Sequence, residues 1–256
     1  MTTPYQQALQ SARTAALAAG ELLRKHAKDP NLIVDKIESH DIKLELDRRT
    51  QELIENILKE AFPNYAIYGE EGISGNPDSE YRWIIDPIDG TVNFFYGIPH
   101  FAISIALQRA DKIVVGVIYD PMRNELWEAV RDGSVTLNGK PVHVSQRSSL
   151  SDAVLSIGMS KAATGIEEAL PRLIEMMKKA RKCRIMGSAT LDIAYVATGR
   201  LDAYMEAEIS LWDIAAGILM VEMAGGIVDL KPHATKPDKF SIVASSGNIS
   251  EIGDGR

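Results

Sequence analysis

One cysteine, Cys183, is all that the 256 residues contain, so no intrachain disulfide can form and packing must hold the fold. Such a chain suits a reducing compartment. Aromatic residues are scarce at 6%, which leaves the core to Ile, Leu, Val, Ala and Met within an apolar content of 45%. Bases do not outnumber acids: 28 stand against 35, a formal net charge of −7, so the basic face of a nucleic-acid binder is not expected. No apolar run reaches the roughly 20 residues that a membrane span needs. The longest candidate, Ile214 to Val221, runs into Glu222. The opening residues Met1-Thr2-Thr3-Pro4-Tyr5-Gln6-Gln7 are not a signal peptide. These absences point to a soluble, cytoplasmic protein with no membrane partner. There is no P-loop, so ATP chemistry is not expected. His100, His143 and His233 lack zinc-ligand spacing, and Ser160, Ser188 and Ser245 lack the context of a nucleophile elbow.

What is present is concentrated in Trp83-Ile84-Ile85-Asp86-Pro87-Ile88-Asp89-Gly90-Thr91-Val92-Asn93-Phe94-Phe95. An apolar run long enough for a buried strand ends in two carboxylates three positions apart. Side chains at the carboxyl end of a strand face the crevice where open α/β sheets bind ligands. Gly90 lets the backbone approach a ligand closely, and Thr91 can open a short helix whose free N–H groups suit a phosphate. Clustered carboxylates repel one another unless a cation lies among them, and oxygen-only ligation favours a hard ion such as Mg²⁺. For this tetrapeptide alone, an Asp-Pro turn with a solvated second Asp is the plain alternative.

Two further acidic elements flank apolar segments. Glu70 and Glu71 follow Ala66-Ile67-Tyr68-Gly69, and read alone they are a solvated turn. Asp213 opens an apolar helical pattern that runs to Ala224 and stops at Gly225-Gly226; read alone it is a helix N-cap. Three acidic clusters, each at the edge of an apolar segment, form a pattern that neither turns nor caps require.

Helical spacing predicts a helix from Pro4 to Lys28, broken at Asp29-Pro30-Asn31, and a second from Leu44 to Phe62, with a short extended piece at Leu32 to Val34 between them. Phe101 to Gln108, Ile113 to Tyr119, Glu125 to Val130 and Ser134 to Leu137 are separated by turn signals, the spacing of antiparallel hairpins. The polar stretch Ser145-Gln146-Arg147-Ser148-Ser149 divides the chain into halves at 1–146 and 147–256. Beyond it strand and helix signals alternate, which predicts an α/β second half. Gly253-Asp254-Gly255 cannot sustain a final helix.

With these motifs in this order, the chain resembles the inositol monophosphatase family of Mg²⁺-dependent, lithium-sensitive sugar phosphatases. The resemblance is carried by Trp83 to Phe94, by Trp212 to Gly217 with Ala224-Gly225-Gly226, by Gly69-Glu70-Glu71, and by Lys36, Asp41 and Asp47. It implies a layered αβαβα sandwich, with an antiparallel-sheet α+β half first, an α/β half second, and the active site where they meet. It also implies that Glu70, Asp86, Asp89 and Asp213 bind metal together with the carbonyl of Ile88, that two Mg²⁺ are held with a third, weaker one near Glu70, and that the protein is a homodimer.

Phosphate-ester hydrolysis asks for a similar set, since two cations about 3.5–4 Å apart can stabilise both attacking and leaving oxygens. Asp86 then bridges, Glu70 and Thr91 orient the attacking water, and Asp89 and Asp213 hold the second ion beside the substrate's leaving oxygen. The N–H groups of Gly90 and Thr91 hold the phosphate. By resemblance Lys36, Asp41 and Asp47 stand behind or beside the cluster, although Asp47, next to Arg48 and Arg49, could equally make a surface ion pair. Lys43-Leu44-Glu45 departs from the small, Thr-containing segment of relatives. The family surrounds the ring hydroxyls with Gly187-Ser188-Ala189 and Glu206, with Arg184 nearby. Glu206, at the end of a strand pattern, could instead be an exposed acid, and Arg184 a structural partner.

The expected activity is Mg²⁺-dependent hydrolysis of a phosphate monoester, foremost myo-inositol monophosphate. The sister alternatives are histidinol phosphate, fructose 1,6-bisphosphate and 3′-phosphonucleotides; Val92-Asn93-Phe94 weighs against the last, whose enzymes tend toward Lys-Glu there. A non-catalytic binding scaffold is the reading from another class, but unused, mutually repelling carboxylates would cost it stability.

Overall fold

A computed structural model describes residues 5–27, 32–37, 42–159, 163–233, 236 and 239–252. Asp41 and the Gly253-Asp254-Gly255 tail lie outside the described residues. In chain order the elements are α1 (Gln6–His26), β1 (Val34–Ile37), β2 (Ile42–Leu44), α2 (Glu45–Ala61), β3 (Ala66–Gly69), β4 (Gly72–Gly75), β5 (Tyr81–Asp89), α3 (Thr91–Phe95), β6 (Ala102–Arg109), β7 (Lys112–Asp120), β8 (Glu125–Val130), β9 (Val135–Leu137) and β10 (Lys140–Pro141). There follow β11 (Val154–Ile157), α4 (Ala163–Lys179), β12 (Lys182–Arg184), α5 (Ala189–Ala197), β13 (Ala203–Ser210), α6 (Leu211–Met223), β14 (Ile227–Pro232) and β15 (Lys239–Ser245).

The strands build an eight-stranded sheet, ordered β10-β9-β8-β7-β6-β5-β3-β4, and a five-stranded one, ordered β12-β11-β13-β15-β14. In the first sheet the β3–β5 pair is parallel and the other described pairings are antiparallel. Helices α1 and α2 pack on one face of it, α5 and α6 lie between the two sheets, and α4 covers the far face of the second. This is the αβαβα sandwich that the resemblance implied.

Each layer follows from its sequence. Helix α1 buries Ala8, Ala12, Ala15, Ala16 and Ala19 with Leu23, a stripe of small side chains that lets the helix lie close to the sheet. Helix α6 is buried from Ile214 through Val221 because it has a sheet on either side. The longest apolar run of the chain is therefore core, and among the described residues no helix is long and apolar enough to cross a membrane. At Gly116 of β7 a Cβ would stand 2.9 Å from Ala216 O, so a glycine there lets α6 settle against the first sheet. That contact brings the start of α6, and Asp213 with it, down onto the end of β5.

Several element boundaries differ from expectation. The extended piece expected at Leu32 to Val34 is instead the antiparallel β1–β2 hairpin. The short strand β4, Gly-Ile-Ser-Gly, carries no alternation and is exposed, so nothing in its pattern announced it. Strand β13 runs past Met205 to Ser210; its polar second half is held by pairing with β15, with a register shift between Glu206 and Ile209. Glu206 is thus inside a strand and not at its end. Ile249 and Ile252, beyond the last strand, are buried against Leu150, Leu155, Leu173 and Met176.

Candidate active site

The pairing of β5 creates the site. Parallel register sets Gly69 beside Ile85, and the Glu70 N–H donates to Ile85 O at 3.1 Å, so Glu70 stands next to Asp86. On its other side β5 pairs Asp86 with Ser104 and Asp89 with Ala102, and the register shift between them turns the chain through Pro87-Ile88. The Ile88 N–H donates to Asp86 Oδ1 at 3.0 Å, closing that bend. Asp213 arrives from α6. It is the third residue of the helix and not its N-cap: Ser210 is the cap, and its N–H donates to Asp213 Oδ2 at 3.0 Å.

Asp86, Asp89 and Asp213 each offer an oxygen within 4.8 Å of the others. Burial, then Glu70, Asp89 and Asp213, push the Asp86 carboxyl well above the usual range. Burial and Asp213 push Asp89 up to about 7, against hydrogen bonds from Ser188 Oγ and from the Thr190 N–H at 2.8 Å that pull it down. Among the described residues no donor reaches the buried Asp86 Oδ2. A buried oxygen without a donor, within a cluster that resists ionisation, has the chemistry of a hard divalent-cation site, and the donor set fits Mg²⁺.

Thr91 begins the five-residue helix α3, and its hydroxyl lies 2.9 Å from Ile88 O and 3.1 Å from Asp47 Oδ1. Asp47 is not a surface ion pair. It is 2% exposed, its Oδ2 takes the Leu44 N–H at 2.8 Å, and Arg48 pairs with Glu52 instead. Burial raises Asp47 to about 7, with the Leu44 N–H opposing. Gly90 precedes Thr91 at φ 92°, and a Cβ there would stand 3.0 Å from His100 O and 3.1 Å from Gly187 O. Gly90→Ala is therefore expected to cost on the order of 1–3 kcal/mol in backbone strain and to widen the notch at the start of α3. Melting temperature and turnover should fall together, and an unchanged melt would contradict this geometry.

Glu70, Asp86, Ile88, Asp89, Gly90 and Thr91 line a cleft of about 550 Å³ together with Gly187, Ser188, Ala189, Glu206 and Asp213. Ser188 is 1% exposed and spends its hydroxyl on Asp89. Arg184 is exposed on the edge strand β12, where it bonds Cys183 O at 3.2 Å; the neighbouring Ile185 lines the cleft and Arg184 does not. Lys36 is exposed on β1 and is not part of the wall, whereas Lys43, its cross-strand neighbour, is.

Tyr204, Asp192, Trp212 and Lys239 also line the cleft and were not anticipated. Tyr204 stands two residues before Glu206, so strand alternation puts both on one face, and its hydroxyl donates to Glu206 Oε2. Burial raises Glu206 to about 8; the Tyr204 hydroxyl opposes this, and Asp213 and Asp89 add to it. Lys239 Nζ donates to Ser210 Oγ at 2.6 Å and stands 6.0 Å from the Trp212 ring; no local pattern links it to the site.

The model of the inositol monophosphatase family matches residues 5–251. An inositol-1-monophosphatase of Rhizobium meliloti (strain 1021) is 42% identical over 242 residues, which span 93% of this chain and 91% of that one. A fructose-1,6-bisphosphatase/inositol-1-monophosphatase of Thermotoga maritima is 40% identical over 91% of this chain and 88% of its own length. The crystal structure of the extragenic suppressor protein suhB from Bartonella henselae aligns with a TM-score of 0.88 at 37% identity, covering 94% of this chain and 95% of that one.

Proposed function

Because the chain belongs to the inositol monophosphatase family, we propose that this phosphatase hydrolyses phosphate monoesters in a Mg²⁺-dependent reaction, with myo-inositol monophosphate as its substrate. The observation that carries the metal reading is the Asp86–Asp89–Asp213 cluster, with its buried Asp86 Oδ2 that no donor reaches. Two Mg²⁺ would be held by Glu70, Asp86, Asp89, Asp213 and the Ile88 carbonyl; a third, weaker one near Glu70, lithium inhibition, a cytoplasmic location and a homodimer are carried over from the family. Bound Mg²⁺ supplies a nucleophilic water near neutral pH and positive charge against the phosphoryl oxygens.

The chain's own residues do the rest. The N–H groups of Gly90 and Thr91 hold the phosphate in the notch at the start of α3. Thr91 Oγ1 accepts a hydrogen bond from the attacking water, and its own hydrogen is directed to Asp47 Oδ1 at 3.1 Å. Asp47, raised to about 7, can take up that proton near neutral pH. Glu70, across the cleft wall, fixes the water's other side. Gly187, Ser188 and Ala189 line the same cleft as Glu206, and Glu206 would meet the alcohol part of the substrate there.

Glu206→Ala is expected to raise KM for inositol 1-phosphate with little change in kcat. The contact is made in ground and transition states alike and carries roughly 1–3 kcal/mol. Glycerol 2-phosphate, which cannot fill the ring end of the cleft, should be affected much less. The ratio of the two losses in kcat/KM gives the answer, and a ratio near one would remove Glu206 from ring recognition. A turnover panel that includes fructose 1,6-bisphosphate tests the substrate assignment. A mass near 28.1 kDa by light scattering would contradict the homodimer.

A further inference from the structure

We infer that Gln51 is the positioning residue of Glu70: its side-chain amide clamps the two-residue turn that presents Glu70 to the carboxylate cluster. The inference rests on the proposed role of Glu70 as a metal ligand. Strands β3 and β4 form an antiparallel hairpin in which Gly69 pairs with Gly72, so Glu70 and Glu71 alone make the turn. Within this Gly-flanked tip the Glu70 N–H is tied to Ile85 O at 3.1 Å, and the Glu71 N–H and Gly72 O beside it are met from outside the sheet.

Helix α2 supplies those partners. Gln51 is 4% exposed, and all of its amide is engaged. Its Oε1 accepts the Glu71 N–H at 2.9 Å, while its Nε2 donates to Gly72 O at 3.3 Å and to Glu55 Oε1 at 2.9 Å. The amide also lies flat against Gly69, where a Cβ would come within 2.3 Å of Oε1 and 2.5 Å of Nε2. Glu55 is held in turn by Lys59 Nζ at 2.6 Å and by Ser74 Oγ of β4 at 2.7 Å, so α2 grips the hairpin at its tip and two residues down its outer strand. Lys43 Nζ pairs with the Glu71 carboxylate at 3.0 Å. Glu70 is then the carboxylate that the turn contributes to the cleft wall.

The clamp has electrostatic work to do. Glu70 and Asp86 follow Gly69 and Ile85, which pair across neighbouring parallel strands, so two carboxylates stand side by side and repel whenever no cation lies between them. A loosely held turn would relieve that repulsion by swinging Glu70 outward, and metal binding would have to draw it back. Gln51 keeps the ligand in place before the ion arrives, and groups that orient a ligand from behind typically change metal affinity about 10–100-fold when removed.

The test compares wild type with Gln51→Met, which keeps the bulk under Gly69 and removes the hydrogen bonds. Mg²⁺ affinity is read by calorimetry without substrate, and by the Mg²⁺ concentration for half-maximal turnover. The expected result is about 10-fold weaker Mg²⁺ by both readouts, with KM for inositol 1-phosphate at saturating Mg²⁺ within about two-fold. Gln51→Glu keeps an oxygen for the Glu71 N–H but donates nothing to Gly72 O, and should give a smaller shift; it decides the matter if Gln51→Met does not fold. A lowered melting temperature with unaltered Mg²⁺ affinity would overturn the inference and leave Gln51 a packing residue. A wild type that binds no Mg²⁺ would overturn the functional reading and this inference with it.

Discussion

Asp86→Asn should remove about three orders of magnitude from kcat/KM, roughly 4 kcal/mol, and at the same time raise the melting temperature of the metal-free protein. The two effects have one origin. Asp86 is 1% exposed, and burial together with Glu70, Asp89 and Asp213 disfavours its charge. Asparagine can still accept the Ile88 N–H that Asp86 Oδ1 takes at 3.0 Å, so the bend in β5 is kept while the charge is lost. If Asp86 were a structural acid, its removal would lower stability and spare turnover. Steady-state kinetics at saturating Mg²⁺ and melts in chelator separate the cases, and near-wild-type kcat/KM in the variant would refute the proposal that Asp86 holds metal.

Removing metal should make stability fall as pH rises, the reverse of ordinary acid denaturation. The responsible carboxyls have folded pKa values above their unfolded ones: Asp47 and Asp89 at about 7 and Glu206 at about 8. Each binds its proton more tightly in the folded state. Its contribution is complete below the unfolded value near 4 and is lost as pH climbs through 7 to 8. One carboxyl moved from about 4 to about 7 corresponds to roughly 4 kcal/mol at high pH, so the slope should be large. Melts in chelator from pH 5 to 8.5 should show the decline, and added Mg²⁺ should flatten it by favouring the ionised forms. A melting temperature that rises over this range in chelator would contradict the assigned shifts.

Much of the site was legible because its chemistry is local. Trp83 to Phe94 holds a strand, a bend, two carboxylates and a helix start in one stretch, and each consequence follows from neighbouring residues. Helices α1, α2, α5 and α6 were legible from periodicity, because burial on one face or on all faces writes itself into spacing. What resisted reading depends on partners distant in sequence. For Asp47, beside two arginines, a surface ion pair stayed open beside the role that the resemblance implied until the fold set it against Thr91. For Asp213 a cap stayed open when it was read alone, since a carboxylate at the third helical position and one at the cap carry nearly the same local signal. Lys239 enters the cleft only because β15 pairs with the bulged end of β13. Arg184, expected near the ring hydroxyls or as a structural partner, is exposed on β12 next in sequence to the cleft-lining Ile185, a difference that the sequence does not carry.

The most direct test of the central claim is phosphate release from inositol 1-phosphate by chelator-treated protein, before and after Mg²⁺ is added back. Turnover should be absent in chelator and return with Mg²⁺ in wild type, and stay about three orders of magnitude below wild type in Asp86→Asn at every Mg²⁺ concentration. Equal phosphate release with and without Mg²⁺ would contradict the assignment of the Asp86–Asp89–Asp213 cluster as the catalytic metal centre.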